Sequence, residues 1–237
     1  MDTARASHVD FLFEAAVAGG IPIIRPLKQC LAGNNITEIM GIINGTTNFI
    51  LTKMKEDGMD FGEALQLATD LGYAEADPTA DIEGYDAGRK LAIMASIAFH
   101  TSVTFDDVFT EGITKITAKD MRYAKEMGCS IKLLGIAKNT ETGIEVKVHP
   151  TMIPENHPLA AVNDSFNAVF VHGDAVDDAM FTDAVQEPCR PAVPLWAILW
   201  MWRATCFSTA TDALGAAATR TCQSSGLAIQ PADITSA

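Results

Sequence analysis

The chain has 237 residues, 48% of them hydrophobic and 20% charged, which is the composition of a globular protein and excludes wholesale disorder. Its 17 Lys and Arg face 30 Asp and Glu, a formal charge of −13, and no local basic patch offsets it, so a nucleic-acid partner is excluded. The longest apolar run, Ala192 to Trp202, is interrupted by Pro194 and is too short to span a bilayer, so no membrane partner is expected either.

From the N-terminus, Met1 to Ala6 carries no apolar signal region, and the five cysteines show no CxxC spacing. A reduced, cytoplasmic chain is the expectation. Asp10 to Ala16 reads as a buried strand, followed by Gly19-Gly20 and a short helix from Ile21-Pro22 to about Leu31. Ile36 to Ile43 is a second strand. The spacing of Phe49, Ile50 and Met54 suits a helix that ends at Gly58, and Phe61 to Leu71 suits another, with Gly72 as its stop. After the turn Ala76-Asp77-Pro78, a single long helix is predicted from about Ile82 to His100. Thr117 is placed to cap a helix reaching Met127. Ser130 to Lys138 and Gly143 to His149 read as a hairpin, and Phe166 to His172 as the final strand. After Phe181 the text changes: no lysine occurs beyond Lys147, and all three tryptophans fall within Trp196 to Trp202. Residues 1–181 are therefore read as one domain and 182–237 as a poorly ordered tail.

Chemistry-bearing residues concentrate between Gly72 and Lys90. Carboxylates there crowd a turn and a helix start, where the helix dipole favours negative charge. Asp86 and Lys90 lie four apart on one helix face, acid before base. That spacing suits a surface ion pair or a tuned acid–base pair. The apolar continuation Leu91 to Phe99 buries the helix and favours the second, because a lysine leading into an apolar interior can be tuned for proton transfer. Several carboxylates beside one lysine also suit a substrate with an ammonium group. In Glu14-Ala-Ala-Val17-Ala-Gly19-Gly20-Ile21, small residues leave carbonyls open to a hard cation, or simply make a close turn. Asn44-Gly45-Thr46-Thr47-Asn48 at a strand-to-helix junction could hold an anion or cap the helix. The histidines have no metal-ligand spacing, and the chain contains no G-x-G-x-x-G.

Taken together, the segments EAAVAGGIPIIRPL, GIINGTTNFILTKM, GYAEADPTADIEGYDAGRKLAI, VHPTMIPENHPLAAVN and FNAVFVHGDAV closely resemble the homoserine dehydrogenase family, from about residue 4 to Phe181. The resemblance implies an α+β fold, a mixed β-sheet with helices packed against it, which forms the catalytic and dimerisation half and makes a homodimer. It implies interconversion of L-aspartate 4-semialdehyde and L-homoserine with NAD(P)H, on the route to threonine, methionine and isoleucine. On this likeness Lys90 is the catalytic proton donor to the developing alkoxide, and Asp86 assists it. Glu75 and Asp81 bind the substrate's amino group, and the backbone at Glu14, Val17, Gly19 and Ile21 forms a sodium site. The cofactor-binding residues are not assigned, since the family's nucleotide-binding domain and a second active-site lysine are expected before Met1. The NAD or NADP preference is left open.

The tail departs from the family pattern in a specific way. Permitted codons for Thr182 to Cys206, read one base earlier, give YGRGAGALPTGSAVVGDIVDVARDL, which resembles the family's glycine segment and the helix after it. Loss of one base at the Phe181–Thr182 junction accounts for the whole change. The tail is thus read as a frameshift product, and the chain as an incomplete enzyme that retains at most dimerisation or weak homoserine binding.

Overall fold

A computed structural model describes residues 6–9 and 11–184. Residues 185–237, most of the tail whose composition changes, lie outside the described part. Six strands form one mixed sheet, β1 (Ile36–Ile42), β2 (Phe109–Thr110), β3 (Cys129–Thr140), β4 (Gly143–Pro154), β5 (Phe166–Gly173) and β6 (Asp177–Ala184), in the order β2-β4-β3-β1-β5-β6. All neighbours are antiparallel except the β2–β4 pair, which is parallel. The helices are α1 (Gly45–Glu56), α2 (Phe61–Asp70), α3 (Thr79–Ile82), α4 (Tyr85–Ala98) and α5 (Ala118–Glu126). The expected mixed α+β fold is observed.

Alternation along the strands divides the interior in two. Ile36, Ile39, Leu133, Ala137, Val148, Val169 and Val171 face the helices and join Ile50, Met54, Leu91 and Met94 in the main core. Ile42, Leu134, Ile136 and Ala168 point the other way, where Leu159, Ala160 and Val162 cover part of that face. Each helix start has a visible cause. The Thr117 hydroxyl accepts from Asp120 N at 3.3 Å, while the Asp120 carboxylate accepts from Thr117 N at 2.9 Å, a reciprocal cap of α5. Asp60 and Glu63 do the same for α2, which stops at Gly72 with φ 80°.

Three expectations are corrected. No strand forms over Phe11 to Ala16, and Asp10 falls outside the described residues. Phe11 is 60% exposed, and the Glu14 carboxylate turns back to accept from Ile24 N at 2.6 Å and Arg25 N at 3.1 Å. A run that spends its one buried polar group on the next helical turn, Pro26–Cys30, has no ladder to join. The helix expected from about Ile82 to His100 is α4, but it begins only at Tyr85, because Gly84 adopts φ 79° and separates it from the short α3 that ends at Ile82. Finally, the chain does not leave the sheet at His172. Strand β6 pairs with β5 from Gly173↔Asp177 to Phe166↔Ala184, three residues past Phe181.

One buried cation lies beneath this frame. Lys132 on β3 is 1% exposed, and its Nζ donates to Val162 O at 2.6 Å, Asn163 Oδ1 at 3.0 Å and Asn48 Oδ1 at 3.1 Å. Burial pushes its ammonium down from the usual 10.5 to about 8, with nearby Lys55 acting in the same direction. Between those two values the unfolded chain binds more protons than the folded one, so this group's contribution to stability rises with pH across that window. Lys132→Met strips three buried acceptors of their donor and is expected to cost on the order of 3 kcal/mol near neutral pH. Urea unfolding at pH 7.5 and 9.5 should show the deficit relative to the parent widening at the higher pH. A deficit independent of pH would show that Lys132 titrates normally.

Candidate functional site

The end of β1, the start of α1 and the broken α3–α4 helix meet at one cavity of about 350 Å³, lined by Asn44, Thr46, Asp81, Asp86, Lys90 and Asn167 among others. Asn44 organises it. Its Oδ1 accepts from Thr47 N at 2.9 Å and so caps α1, while its Nδ2 donates to Asp81 Oδ1 at 2.7 Å and Asp86 Oδ2 at 3.0 Å. Lys90 Nζ lies 2.6 Å from Asp86 Oδ2 and donates to Ile43 O at 3.3 Å. Both side chains are about a quarter exposed, so the pair is reachable from the cavity yet partly withdrawn from water. The polar pentad Asn44 to Asn48 therefore does cap a helix, and its first residue also ties two carboxylates together.

Burial pushes the Asp81 carboxyl above its ordinary value, opposed by the Asn44 hydrogen bond and the Lys90 charge and reinforced by Asp86 and Glu75. Glu75 itself is exposed and does not line the cavity. Its charge is nevertheless felt by Asp81 from the preceding turn. Asp77, also exposed, is held below its usual value by Thr79, whose hydroxyl and backbone N–H it accepts at the start of α3. The structure thus brings Lys90, Asp86 and Asp81 into one cluster and leaves Glu75 at its margin.

The turn from Glu14 to Ile21 approaches the same cavity through Gly19. Ala18 and Gly19 take φ of 56° and 59°, which reverses the chain. The Glu14 carbonyl accepts from Val17 N at 3.4 Å and the Ile21 carbonyl from Ile23 N at 2.9 Å, so each keeps a second lone pair. Neutral carbonyl oxygens of this kind fit a hard monovalent cation. The Glu14 carboxylate is committed elsewhere, and burial raises its pKa despite the two N–H groups it accepts. Among the described residues, no three His, Cys, Asp or Glu side chains gather as metal ligands.

Asn44 and Asn167 are among the lining residues not singled out as site residues from sequence. Asn44 had a legible signal in its polar pentad, but only as a cap or anion site. Asn167 had none, because a single asparagine within an apolar strand looks like any solvent-facing position.

A sequence profile of the homoserine dehydrogenase family matches residues 22–192. Over 185 residues the chain is 55% identical to the homoserine dehydrogenase of Corynebacterium glutamicum, covering 76% of this chain and 42% of that protein. It is 51% identical over 178 residues to that of Bacillus subtilis, covering 75% of this chain and 41% of the relative. The crystal structure of a homoserine dehydrogenase from Thiobacillus denitrificans superposes with a TM-score of 0.77 at 52% identity, over 78% of this chain and 43% of that one. The chain therefore spans less than half the length of these relatives.

If Asn44 couples helix capping to the carboxylates, Asn44→Ala has two separable effects. Stability should fall by about 1 kcal/mol through loss of the cap. Asp81, deprived of its donor, should titrate higher still, as read from carboxyl NMR shifts across the acid range. An unaltered Asp81 titration in a folded variant would break that coupling.

Proposed function

This chain belongs to the homoserine dehydrogenase family, and from that premise we propose that its cavity is the substrate half of an oxidoreductase site interconverting L-homoserine and L-aspartate 4-semialdehyde. The observation that supports this most directly is the 2.6 Å Asp86–Lys90 pair opening into the same cavity as Asp81 and Asn44. The reduced carbonyl carbon gains a hydride and its oxygen gains negative charge. Lys90 is the donor that passes a proton to that oxygen, and Asp86, 2.6 Å away, aims it. Asp81, with Glu75 at the margin, attracts the substrate's ammonium.

NAD(P)H supplies the hydride when bound. The described residues do not fit a dinucleotide: they contain no glycine-rich strand–turn–helix unit, and a cavity of about 350 Å³ suits an amino acid. The roles proposed for the described residues therefore concern the substrate. A sodium ion on the carbonyls of Glu14, Val17, Gly19 and Ile21 would fix the turn that contributes Gly19 to the cavity wall.

The partner we propose is a second copy of this chain, seated on the sheet face away from the helices. Ile136, Met40, Phe170 and Met180 lie in register across β3, β1, β5 and β6 on that face. Beside them runs a row of alternating sign, Glu145, Lys138, Glu38, His172 and Asp178. Its ion pairs are Lys138–Glu38 at 3.0 Å and His172–Asp178 at 2.7 Å. A self-complementary apolar stripe flanked by both charges suits a two-fold interface. Among the described residues, no helix is long and apolar enough to cross a membrane.

The catalytic assignment is tested by grafting residues 1–181 in place of the matching segment of the C. glutamicum relative. Lys90→Ala in that chimera should lower kcat by about a hundredfold or more while KM for homoserine changes little. Unchanged turnover with collapsed binding would remove Lys90 from the proton-donor role. For the interface, sedimentation should show a dimer that Phe170→Asp converts to monomer. A parent chain that sediments as a monomer at micromolar concentration would refute the second copy.

A further inference from the structure

We propose that Asn167 is a substrate ligand whose side-chain oxygen accepts a hydrogen bond from the substrate's ammonium group, an assignment that rests on the reading of the cavity as an amino-acid site. Asn167 is 4% exposed and lines the cavity that holds Asn44, Asp81, Asp86 and Lys90. Among the described residues its Oδ1 is buried without any hydrogen-bond partner. Asn34 Oδ1 shares that state but does not line this cavity, and the amides nearer to Asn167 are satisfied. Asn44 satisfies Thr47, Asp81 and Asp86 at once, and Asn48 Nδ2 donates to Val162 O at 3.0 Å and Phe166 O at 3.1 Å. A buried acceptor left empty costs roughly 1–3 kcal/mol, so its retention at a cavity wall points to a partner that arrives from the cavity.

The fold holds this side chain in place. Asn167 follows Phe166 at the start of β5, and the Asn48 bond to Phe166 O fixes the backbone immediately before it. Asn48 is itself held by the buried Lys132. The first turn of α1 presses on the same segment so closely that a Cβ at Gly45 would come within 2.8 Å of Ser165 O. Alternation along β5 puts Asn167 on the face of Val169 and Val171, toward the helices and the cavity. An amide mounted between a paired strand and a pinned loop loses little freedom on binding.

The chemistry of the two substrates selects the ammonium. An empty carbonyl oxygen needs a donor. The terminal oxygen of homoserine is a donor only as the alcohol and loses its hydrogen in the semialdehyde. The ammonium donates in both, and its three hydrogens exceed the two oxygens of Asp81, one of which already accepts from Asn44. A neutral acceptor for the third leaves the charge balance of the cavity unchanged. Asn167 thus completes the ammonium's shell and discriminates against 4-carbon acids without an amino group.

Calorimetry on this chain with homoserine, 2-aminobutyrate and 4-hydroxybutyrate tests the assignment. Asn167→Ala should weaken homoserine and 2-aminobutyrate alike, by about tenfold, and leave 4-hydroxybutyrate unchanged. Loss for homoserine with none for 2-aminobutyrate would move the bond to the hydroxyl and overturn the ammonium assignment. Equal affinities in parent and variant would remove Asn167 from the site. Failure of the parent chain to bind homoserine would instead refute the reading of the cavity, and this assignment with it. Should the variant not fold, [15N]asparagine labelling of the parent gives a second readout. The Asn167 side-chain amide should shift on adding 2-aminobutyrate, and a resonance that stays fixed at saturation overturns the proposal.

Discussion

The site depends on the carboxamide of Asn44, which is 6% exposed and has its bonding capacity taken up on two sides. Its oxygen satisfies an otherwise orphaned N–H in the first turn of α1, and its nitrogen neutralises part of the repulsion between Asp81 and Asp86. The charge of Asp86 already raises the proton affinity of Asp81, and the amide opposes that rise by donating to both. The amide therefore links three elements that are remote in sequence: the end of β1, the start of α1 and the acidic turn beyond residue 75. Lys90 then finds its partner already fixed, so the Asp86–Lys90 contact is organised from the far side as well as by helical spacing.

That convergence needs the helix to break. On a continuous helix, residues 81 and 86 would project about 140° apart, and no single amide could reach both. Gly84 at φ 79° interrupts the helix between them and redirects α3. The interruption is also crowded, since a Cβ at Gly84 would meet Thr110 at 3.1 Å and Val148 at 3.3 Å. The short strand β2 and the middle of β4 thereby contribute to the site without touching the cavity: they press on the position that makes the bend. The register of the sheet and the spacing of two carboxylates are one constraint.

This division explains what could be read from the sequence. Patterns that act within a few residues were legible: the Thr117 cap, the stop at Gly72, the Asp86–Lys90 pairing and the apolar face of α4. The α+β class followed from the resemblance and the ordered strands. What escaped depends on distant partners. Gly84 carried no signal as a helix boundary, because nothing local shows Thr110 and Val148 behind it. Strand β6 reads Asp-Asp-Ala-Met-Phe-Thr-Asp-Ala, a polar edge whose only reason to extend is the ladder offered by β5. Conversely, Asp10 to Ala16 has strand composition, but Glu14 is drawn into capping the following turn and the segment finds no neighbour. Asn167 was invisible for the same reason, since its significance lies in an acceptor left empty by a three-dimensional neighbourhood.

The charges around the cavity then set its selectivity. Asp81, Asp86 and Glu75 supply three negative charges against the single ammonium of Lys90, and Lys90 is committed to Asp86 at 2.6 Å. The surplus falls on Asp81, the carboxylate whose pKa burial raises and which Asp86 and Glu75 raise further. A group in that state is stabilised by whatever cation arrives: a proton at low pH, or an ammonium above it. On the function proposed above, a proton and the substrate's ammonium would compete for the same carboxylate. On the same reading, an incoming zwitterion would relieve the repulsion at Asp81 while its carboxylate avoided the acidic cluster, so charge would bias its orientation. The far end of that molecule would then be left to Lys90, which can give a proton to an oxygen without adding negative charge beside it.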